Sequence, residues 1–459
     1  MTQTHGIGAY AAYLPAHFLG DNSLDGASDR VPVRVRSVAA FDEDVVTMAV
    51  EALRRFPLDA DGHLVLATTS APYEVKTAAG IVHEALGLPA AVGATDLHGS
   101  RAGASALAFV VDHGMVVVAA DVRTSRSGAP DELAQGDAAA AFSPGADAAV
   151  LLARAGRSVE LLDRWRLPGE RHDRVWDERF TADALVAAAQ EVVGETLRTA
   201  GRESVDRVVV SSPNPRAAVA LRRALGGGGE DAALERQTGF TGAAHPGLLL
   251  AAALDDAAPG DTILLVSAAE GADAFLFEVG AGVRAARLGP AVSAQLAERR
   301  ALSYGRYLRW RGLIDVQGPA RPASAAPASP PMLRRSGWKH RLEGSRCESC
   351  GAVTTPPARG CAACGHLATA DGMVVEPLRD RVARVVSVTR DHLTTMPESE
   401  VTVVVADVDG GGRLIAYAAD VDPDEVEVGS PMVSTFRRLW TTDGIHNYFW
   451  KLRPSSEDR

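Results

Sequence analysis

Up to about residue 315 the chain alternates two hydrophobic periods. Short apolar runs such as "LVLATT" (64–69), "MVVVAAD" (115–121) and "AAVLLA" (148–153) have the length and composition of buried strands. Between them lie stretches such as Val45, Met48, Ala49, Ala52, Leu53 and Phe56, whose spacing of three or four residues places them on one face of a helix. Strands and helices alternating in this way predict an α/β domain. The order then recurs with "RVVVSS" (207–212), "TILLVSAAEG" (262–271) and "DAFLFEVGAG" (273–282). Because "VVVAAD" and "AAVLLARAG" are echoed by "ILLVSAA" and "AFLFEVGAG", the domain reads as a duplication, with halves at 1–155 and 156–315.

The pattern breaks at 316–336, "VQGPARPASAAPASPPMLRRS", where Pro, Ala and Ser dominate and no apolar period survives, as in a semi-extended linker. Beyond it the four cysteines of the chain fall together as Cys347, Cys350, Cys361 and Cys364. Two Cys-x-x-Cys pairs at this spacing can bring four thiolates into a tetrahedron around one structural zinc ion, which predicts a zinc ribbon over 337–372. His366 is near enough to substitute as a ligand, but four cysteines already close the shell. Residues 373–459 then become all-β: "RVARVVSVT" (381–389), "EVTVVVADV" (400–408), "RLIAYAADV" (413–421), "SPMVSTFRRL" (430–439) and "YFWKLRP" (448–454). Five short strands behind a ribbon suggest a small OB-type β-barrel.

Composition narrows the function less than the pattern does. A length of 459 residues and 46% hydrophobic content suit a multidomain globular protein. The N-terminus lacks a basic segment followed by an apolar core, and no run of about 18 uncharged apolar residues occurs. A cytoplasmic protein with no membrane association is expected. The net charge of −11 argues against a broad electrostatic hold on nucleic acid, and no basic–aromatic groove is evident despite the barrel.

Residues 5–315 resemble the thiolase superfamily, and within it the hydroxymethylglutaryl-CoA synthase branch of archaeal and actinobacterial type. The stretches that carry the resemblance are "FDEDVVTMAVEA" (41–52), "TTSAPYEVKTAAGIVHEALGL" (68–88), "GDAAAAF" (136–142), "AAPGDTILLVSAAEGADAF" (257–275) and "YGRYLRWRG" (304–312). Residues 338–454 are similar to the rubredoxin-like zinc ribbon plus OB-fold domain that accompanies thiolase-like subunits. The resemblance implies two βαβαβαββ halves in five layers, a site where the N-termini of two buried helices meet, and a homodimer, for which "MVVVAAD" (115–121) is the candidate edge strand. It also implies CoA or phosphopantetheine thioesters as substrate carriers, an acyl-CoA or acyl-carrier-protein partner, and a second thiolase-like or acyl-handling protein as a further one.

The family chemistry uses Cys, His and Asn, with a glutamate added in the synthases. In this chain the family's nucleophile motif matches "SRAGASAL", so Ser100 stands for the cysteine. "SSPN" (211–214) puts Ser211 at the histidine, "GFT" (239–241) puts Phe240 at the asparagine, and Thr69 matches the glutamate. Two readings of Ser100 remain: a nucleophile served by a rewired base, His98 or His245, or a helix N-cap at a vacated position. His98, His245, His83 and His172 each have the alternative of a surface or hydrogen-bonded core histidine, and Tyr73, Glu74 and Lys76 follow Thr69 closely enough to reach the cavity. The catalytic candidates are therefore Ser100, His245, Tyr73, His98 and Ser211. The function expected is an aldol- or Claisen-type carbon–carbon step on an acyl thioester, of the transferase, synthase or aldolase-type lyase class, without the standard acyl-enzyme. The alternative is a catalytically inert thiolase-like scaffold or regulatory subunit for a partner enzyme.

Overall fold

The computed structural model describes residues 6–24, 34–58, 62–318, 322, 324–368, 374–398 and 400–455. Chain contacts divide it into two compact units, Met1–His83 with Leu88–Ile314, and Glu84–Gly87 with Asp315–Arg459. The positions 319–321, 323 and 369–373 of the expected linker, ribbon and barrel lie outside the described residues.

In the first unit a nine-stranded sheet is built from β1 (Gly6–Tyr13), β2 (His63–Thr68), β3 (Gly93–His98), β4 (Val116–Asp121), β5 (Ala138–Pro144), β6 (Ala149–Ser158), β7 (Arg207–Ser211), β8 (Thr262–Ala268) and β9 (Gly271–Val279). Their order is β7-β8-β9-β6-β1-β5-β4-β2-β3. The duplication is explicit in this order. In the first half β2 and β4 pair in parallel while β5 runs antiparallel to β4 and to β1. In the second, β7 and β8 pair in parallel while β9 runs antiparallel to β8 and to β6. The half-sheets join where β1 and β6 pair through Gly6↔Val150 and Ile7↔Ala149. The expected half boundary at 155/156 therefore falls inside β6. β3 has no counterpart among the described residues of the second half.

The apolar run 115–121, expected as the edge strand, lies inside the sheet instead: β4 is flanked by β5 and β2, and all six of its residues are buried. A strand buried on both faces reads as a continuous apolar run wherever it stands in the order, so sequence alone does not distinguish centre from edge. The edge of the first half is β3, whose residues are half-buried or exposed.

Two helices occupy the middle of the unit, α1 (Ala102–His113) after β3 and α2 (His245–Asp256) before β8. Both lie in one core with Val65, Val117, Phe142, Leu265 and Phe275 from strands of both halves. α1 ends at Gly114, whose φ of 66° suits the left-handed C-terminal turn that glycine adopts without strain. The N-termini of the two helices meet: a Cβ built on Gly103 would lie 2.0 Å from the Ala243 carbonyl oxygen. Gly103 in "RAGASAL" thus reflects the close approach of two backbones.

The second unit holds a three-stranded sheet, Val353–Thr354 beside Glu343–Arg346 beside Val374–Pro377, and a five-stranded antiparallel sheet. The latter runs in the order Arg413–Tyr417, Val401–Val408, Val382–Asp391, Pro431–Thr442, Ile445–Pro454. Its ends approach each other where Ala419 N donates to Leu452 O at 2.8 Å. Phe436, Tyr448, Trp450 and Leu452 fill its interior. A short helix, Ser329–Arg334, stands where the sequence suggested a semi-extended linker, and a second, Ser336–Arg341, begins at its last residue.

The Gly103 contact gives a paired test. Gly103→Ala should lower stability by about 2 kcal/mol or more, since the added methyl collides with backbone. Gly194→Ala, in the helix Glu178–Ala200 with nothing within 4 Å of the added carbon, should raise it by about 0.5–1 kcal/mol. Thermal unfolding of both variants beside the unchanged chain measures the difference.

Candidate functional site

The helix junction is held by one carboxylate. Asp121, the last residue of β4, is fully buried and accepts five hydrogen bonds. Oδ1 takes Thr68 Oγ1 (2.8 Å), Thr69 N (2.7 Å) and Ser70 Oγ (2.9 Å), and Oδ2 takes Thr69 Oγ1 (2.8 Å) and Ala243 N (2.7 Å). The end of β2 in the first half and the approach to α2 in the second are thereby tied to one group. Gly242 is required beside it, with φ +61° and a built Cβ only 2.0 Å from Asp121 Oδ2.

Ser100 lies just ahead of α1 and does not cap it: Arg101 is the N-cap residue and makes no side-chain cap bond, and the Ser100 Oγ is buried without any hydrogen-bond partner. The cap expectation is thus corrected, because the helix begins one residue too late for Ser100 to reach the first-turn amides. The same isolation means that neither His98 nor His245 bonds to this hydroxyl. Arg101 turns across to the second half, where Nε and Nη2 grip Asp273 at 2.7 and 2.8 Å and Nη1 reaches Ser158 Oγ at 2.6 Å.

His245 is the first residue of α2 and is fully buried. Thr241 N donates to its Nδ1 at 3.3 Å, which leaves Nε2 as the protonated nitrogen, 4.0 Å from Glu235 Oε2. Burial pushes its pKa down to about 4; Glu235 works against that and Arg222 with it. Phe240 packs against the same ring, tilted by 49° with centroids 4.6 Å apart. Arg222 is itself held by Asp231 (2.7 Å) and Glu235 (2.5 Å). This is a neutral imidazole in a packed network.

The remaining candidates stand on separate elements. Ser211 is buried at the end of β7, and Asn214 of the same motif caps the helix Pro215–Leu225 through Arg216 N and Ala217 N. His98 is exposed at the end of β3, opposite Thr68 in the ladder. Tyr73 is half-buried in an irregular stretch where Glu74 and Lys76 are exposed. His83 and His172 bond to the carbonyls of Pro89 and Thr124. Thr69 alone of the replaced positions sits in a polar network. Its hydroxyl donates to Asp121 and accepts from Arg123 Nη1 (2.6 Å), and its carbonyl accepts from Arg166 Nη2.

Sequence reasoning missed Asp121, Arg123 and Arg166. A lone Asp closing the apolar run "VVVAAD" was the available signal for the first, since an ionised group at the end of a fully buried strand needs donors. Nothing in the order of residues 163–177 marks its arginines as neighbours of Thr69.

In the second unit the four cysteine sulfurs lie within 4.8 Å of one another and can hold a metal ion. Cys347 to Cys364 is 3.7 Å and Cys350 to Cys361 is 3.6 Å, close to the edge of a tetrahedron with metal–sulfur bonds of about 2.3 Å. The two knuckles are built alike: Gly351 N bonds to Cys347 O and Gly365 N to Cys361 O, with both glycines at positive φ (75° and 73°).

No family model matches the chain. It is similar to the hydroxymethylglutaryl-CoA synthase of Pyrococcus horikoshii, 29% identical over 339 residues covering 67% of this chain and 95% of the relative. The enzyme of the same name from Thermoplasma acidophilum is 28% identical over 347 residues, covering 68% and 98%. By sequence and fold, the chain resembles the hydroxymethylglutaryl-CoA synthases of the thiolase superfamily. Among solved structures, PksG, an HMG-CoA synthase from Bacillus subtilis, superposes with a TM-score of 0.57 at 16% identity over 68% of this chain and 89% of that one. An HMG-CoA synthase complexed with CoA gives 0.56 at 19% over 66% and 89%, and the HMG synthase of the curacin pathway with holo donor-ACP gives 0.56 at 20% over 67% and 88%. These likenesses establish the thiolase-like α/β fold. Among the described residues no helix is long and apolar enough to cross a membrane.

The buried imidazole makes this synthase-like protein sensitive to acid in a defined direction. Between pH 6.5 and about 4 the unfolded chain binds a proton at His245 that the folded one does not, so stability is lost as pH falls through that window. The loss should reach about 3 kcal/mol at pH 4 and be absent in His245→Gln. Denaturant unfolding at a series of pH values compares the two slopes.

Proposed function

We propose that the first unit binds acyl thioesters of CoA or of a carrier protein and performs an aldol- or Claisen-type carbon–carbon step on them without an acyl-enzyme. The observation that carries this reading is the meeting of two buried helix N-termini at Gly103 and Ala243, neither with a side-chain cap. Backbone N–H groups and helix dipoles directed there favour a thioester oxygen or an enolate. The relatives named for CoA and carrier-protein substrates support the same class of ligand. Covalent chemistry is disfavoured by the chain's own residues: Ser100 has no base bonded to it, and Ser211 and Phe240 cannot do the work of an imidazole and a carboxamide. Activity that depends on His98 or Tyr73 would place the proton transfer there.

The second reading, an inert thiolase-like subunit supporting a partner enzyme, is favoured by one observation: Phe240 packs on a histidine that is buried and neutral. Incubation with acetyl-CoA followed by intact-mass spectrometry and calorimetry separates the readings. Saturable binding with no acyl adduct is the expected outcome, and Ser100→Ala should change stability by less than about 0.5 kcal/mol because no hydrogen bond is lost. A stoichiometric acyl-Ser100 species that turns over would make the protein a serine-dependent acyltransferase. Absence of any binding would favour the subunit.

For the second unit we propose a zinc ribbon, with structural Zn2+ on Cys347, Cys350, Cys361 and Cys364, followed by an OB-type barrel. The paired knuckles and the near-tetrahedral sulfur spacing support the metal, and the approach of the two ends of the five-stranded sheet supports the barrel. The assembly proposed is a cytoplasmic homodimer, formed through the edge strand β3, with a second acyl-handling protein as a further partner. Native mass spectrometry should report a dimer carrying one zinc ion per chain. A monomer, or a folded ribbon without metal, would sink the corresponding claim.

A further inference from the structure

Between β6 and the helix Glu178–Ala200 the usual partition of side chains is reversed. A short hairpin pairs Arg164 with Val175 and Trp165 with Arg174. Its charges form an inward cluster around Asp173, which Arg123 Nη2 bonds while Arg166 Nη1 lies at 3.0 Å and Arg164 Nη1 at 3.6 Å. Its apolar residues Leu162, Leu167, Val175 and Trp176 are exposed instead. Trp176, just before the Asp177 cap of the helix, is 63% exposed, and Phe180 in the first turn is 79% exposed. Among the large apolar side chains exposed in the described part of the first unit, Val75 and Ile314 alone lie outside 162–219.

The helix Pro215–Leu225 stands beside them. Its cap residue Asn214 donates through Nδ2 to Glu178 O at 2.9 Å and to Thr181 Oγ1 at 3.0 Å, which fixes it against the start of the longer helix. Ala217, Ala218 and Leu221 are buried, whereas Val219, 65% exposed, and Ala220 and Ala224 face out. With Arg216, Arg223 and Glu178 they line an open groove of about 850 Å³. Charge is divided between the two features. Asp183 shares the outer helix face with Phe180, three residues away, and neither it nor Arg223 at the groove makes an ion pair among the described residues.

A concentration of exposed apolar residues rimmed by polar ones marks an interaction surface. Two aromatic rings beside a free carboxylate, set next to a small-residue groove beside a free guanidinium, are complementary to themselves. In a twofold contact the rings of each copy meet the groove of the other. We propose that this corner of the first unit is an interface between two copies of the chain, with Trp176 and Phe180 of each copy against Val219, Ala220 and Ala224 of the other and Asp183 facing Arg223. It is distinct from the edge strand β3, because both helices pack on the second half-sheet through Leu185, Ala217, Leu221, Leu264 and Leu276. It is independent of the thioester reading.

Sedimentation velocity of the full chain from about 1 to about 100 µM tests the contact. The mass should double across that range, from the smallest species, single chain or β3 dimer, with a midpoint on the order of 10 µM because the groove is open. Phe180→Ser and Arg223→Glu should each weaken association about 10-fold or more, since a twofold contact loses each interaction twice. Both positions are exposed, so their unfolding temperatures should stay close to that of the unchanged chain. Asp183→Arg added to Arg223→Glu should regain at least about threefold, which a change in folding alone would not do. A mass constant up to about 100 µM overturns the proposal, and so does a rise that none of the variants alters or a pair of charge reversals that regains nothing. Flotation of the unchanged chain with phosphatidylglycerol vesicles, lost in Phe180→Ser and without self-association, would give the patch to a lipid surface and also overturn it.

Discussion

The carboxylate of Asp121 fixes the centre of the first unit. It is buried and paired with no cation directly, and hydroxyl and backbone N–H groups replace the water it gave up. Because four of those donors leave β2 and the fifth precedes α2, the bonds of one group set where the two halves stand at their junction. The chain immediately before and after pays for this with restricted residues. Gly242 cannot carry a side chain beside the carboxylate, Gly103 cannot carry one beside Ala243, and Thr68, Thr69 and Ser70 must all offer hydrogen.

The same bonds limit what the site can do. The Thr69 hydroxyl gives its hydrogen to Asp121 and its lone pair to Arg123, so it is occupied as a structural link. His245 is neutral at ordinary pH and has Phe240 against its ring. Beside Asp121, which already takes Ala243 N, what remains is the start of α1 without a side-chain cap, and guanidinium groups of the Thr69 network with donors unused. Such a set stabilises an anion or an oxygen gaining charge far better than it moves a proton. That is why thioester binding stands on firmer physical ground than covalent catalysis.

Much of the architecture was legible because periodicity reports burial. The alternation of "LVLATT" with the Val45–Phe56 stripe, and its echo after residue 200, corresponds to parallel pairs β2–β4 and β7–β8 in the same relative order. The cysteine spacing was legible because a metal knuckle needs a fixed local turn, here supplied by Gly351 and Gly365. Strand order was not, since the run at 115–121 looks the same in the centre of a sheet as at its edge. The helix-cap reading of Ser100 fails by a single residue of helix register, which decides whether a hydroxyl reaches the first-turn amides. The arginine cluster was illegible because its members lie on segments, 123 and 164–173, joined only by the fold.

The two halves repeat one topology, yet they meet the junction with different surroundings, and the difference lies in what supports each helix start. α1 is anchored by Arg101 gripping Asp273 on the opposite half, an ion pair that crosses the pseudo-symmetric boundary. α2 is instead backed by its own half, where Arg222, Asp231 and Glu235 form a charged brace beside His245 and Asp231 also accepts Val210 N from β7. No strand matching β3 occupies the second half among the described residues; the chain from Gly226 runs directly into the helix Glu230–Thr238 that carries two of those charges. The half without that strand among the described residues carries the brace beside a histidine that burial holds neutral, whereas in the half with it the Ser100 hydroxyl has no hydrogen-bond partner. The two helix starts of the repeated topology are thus supported in two unlike ways, one by an ion pair across the boundary and one by a charged brace within its own half.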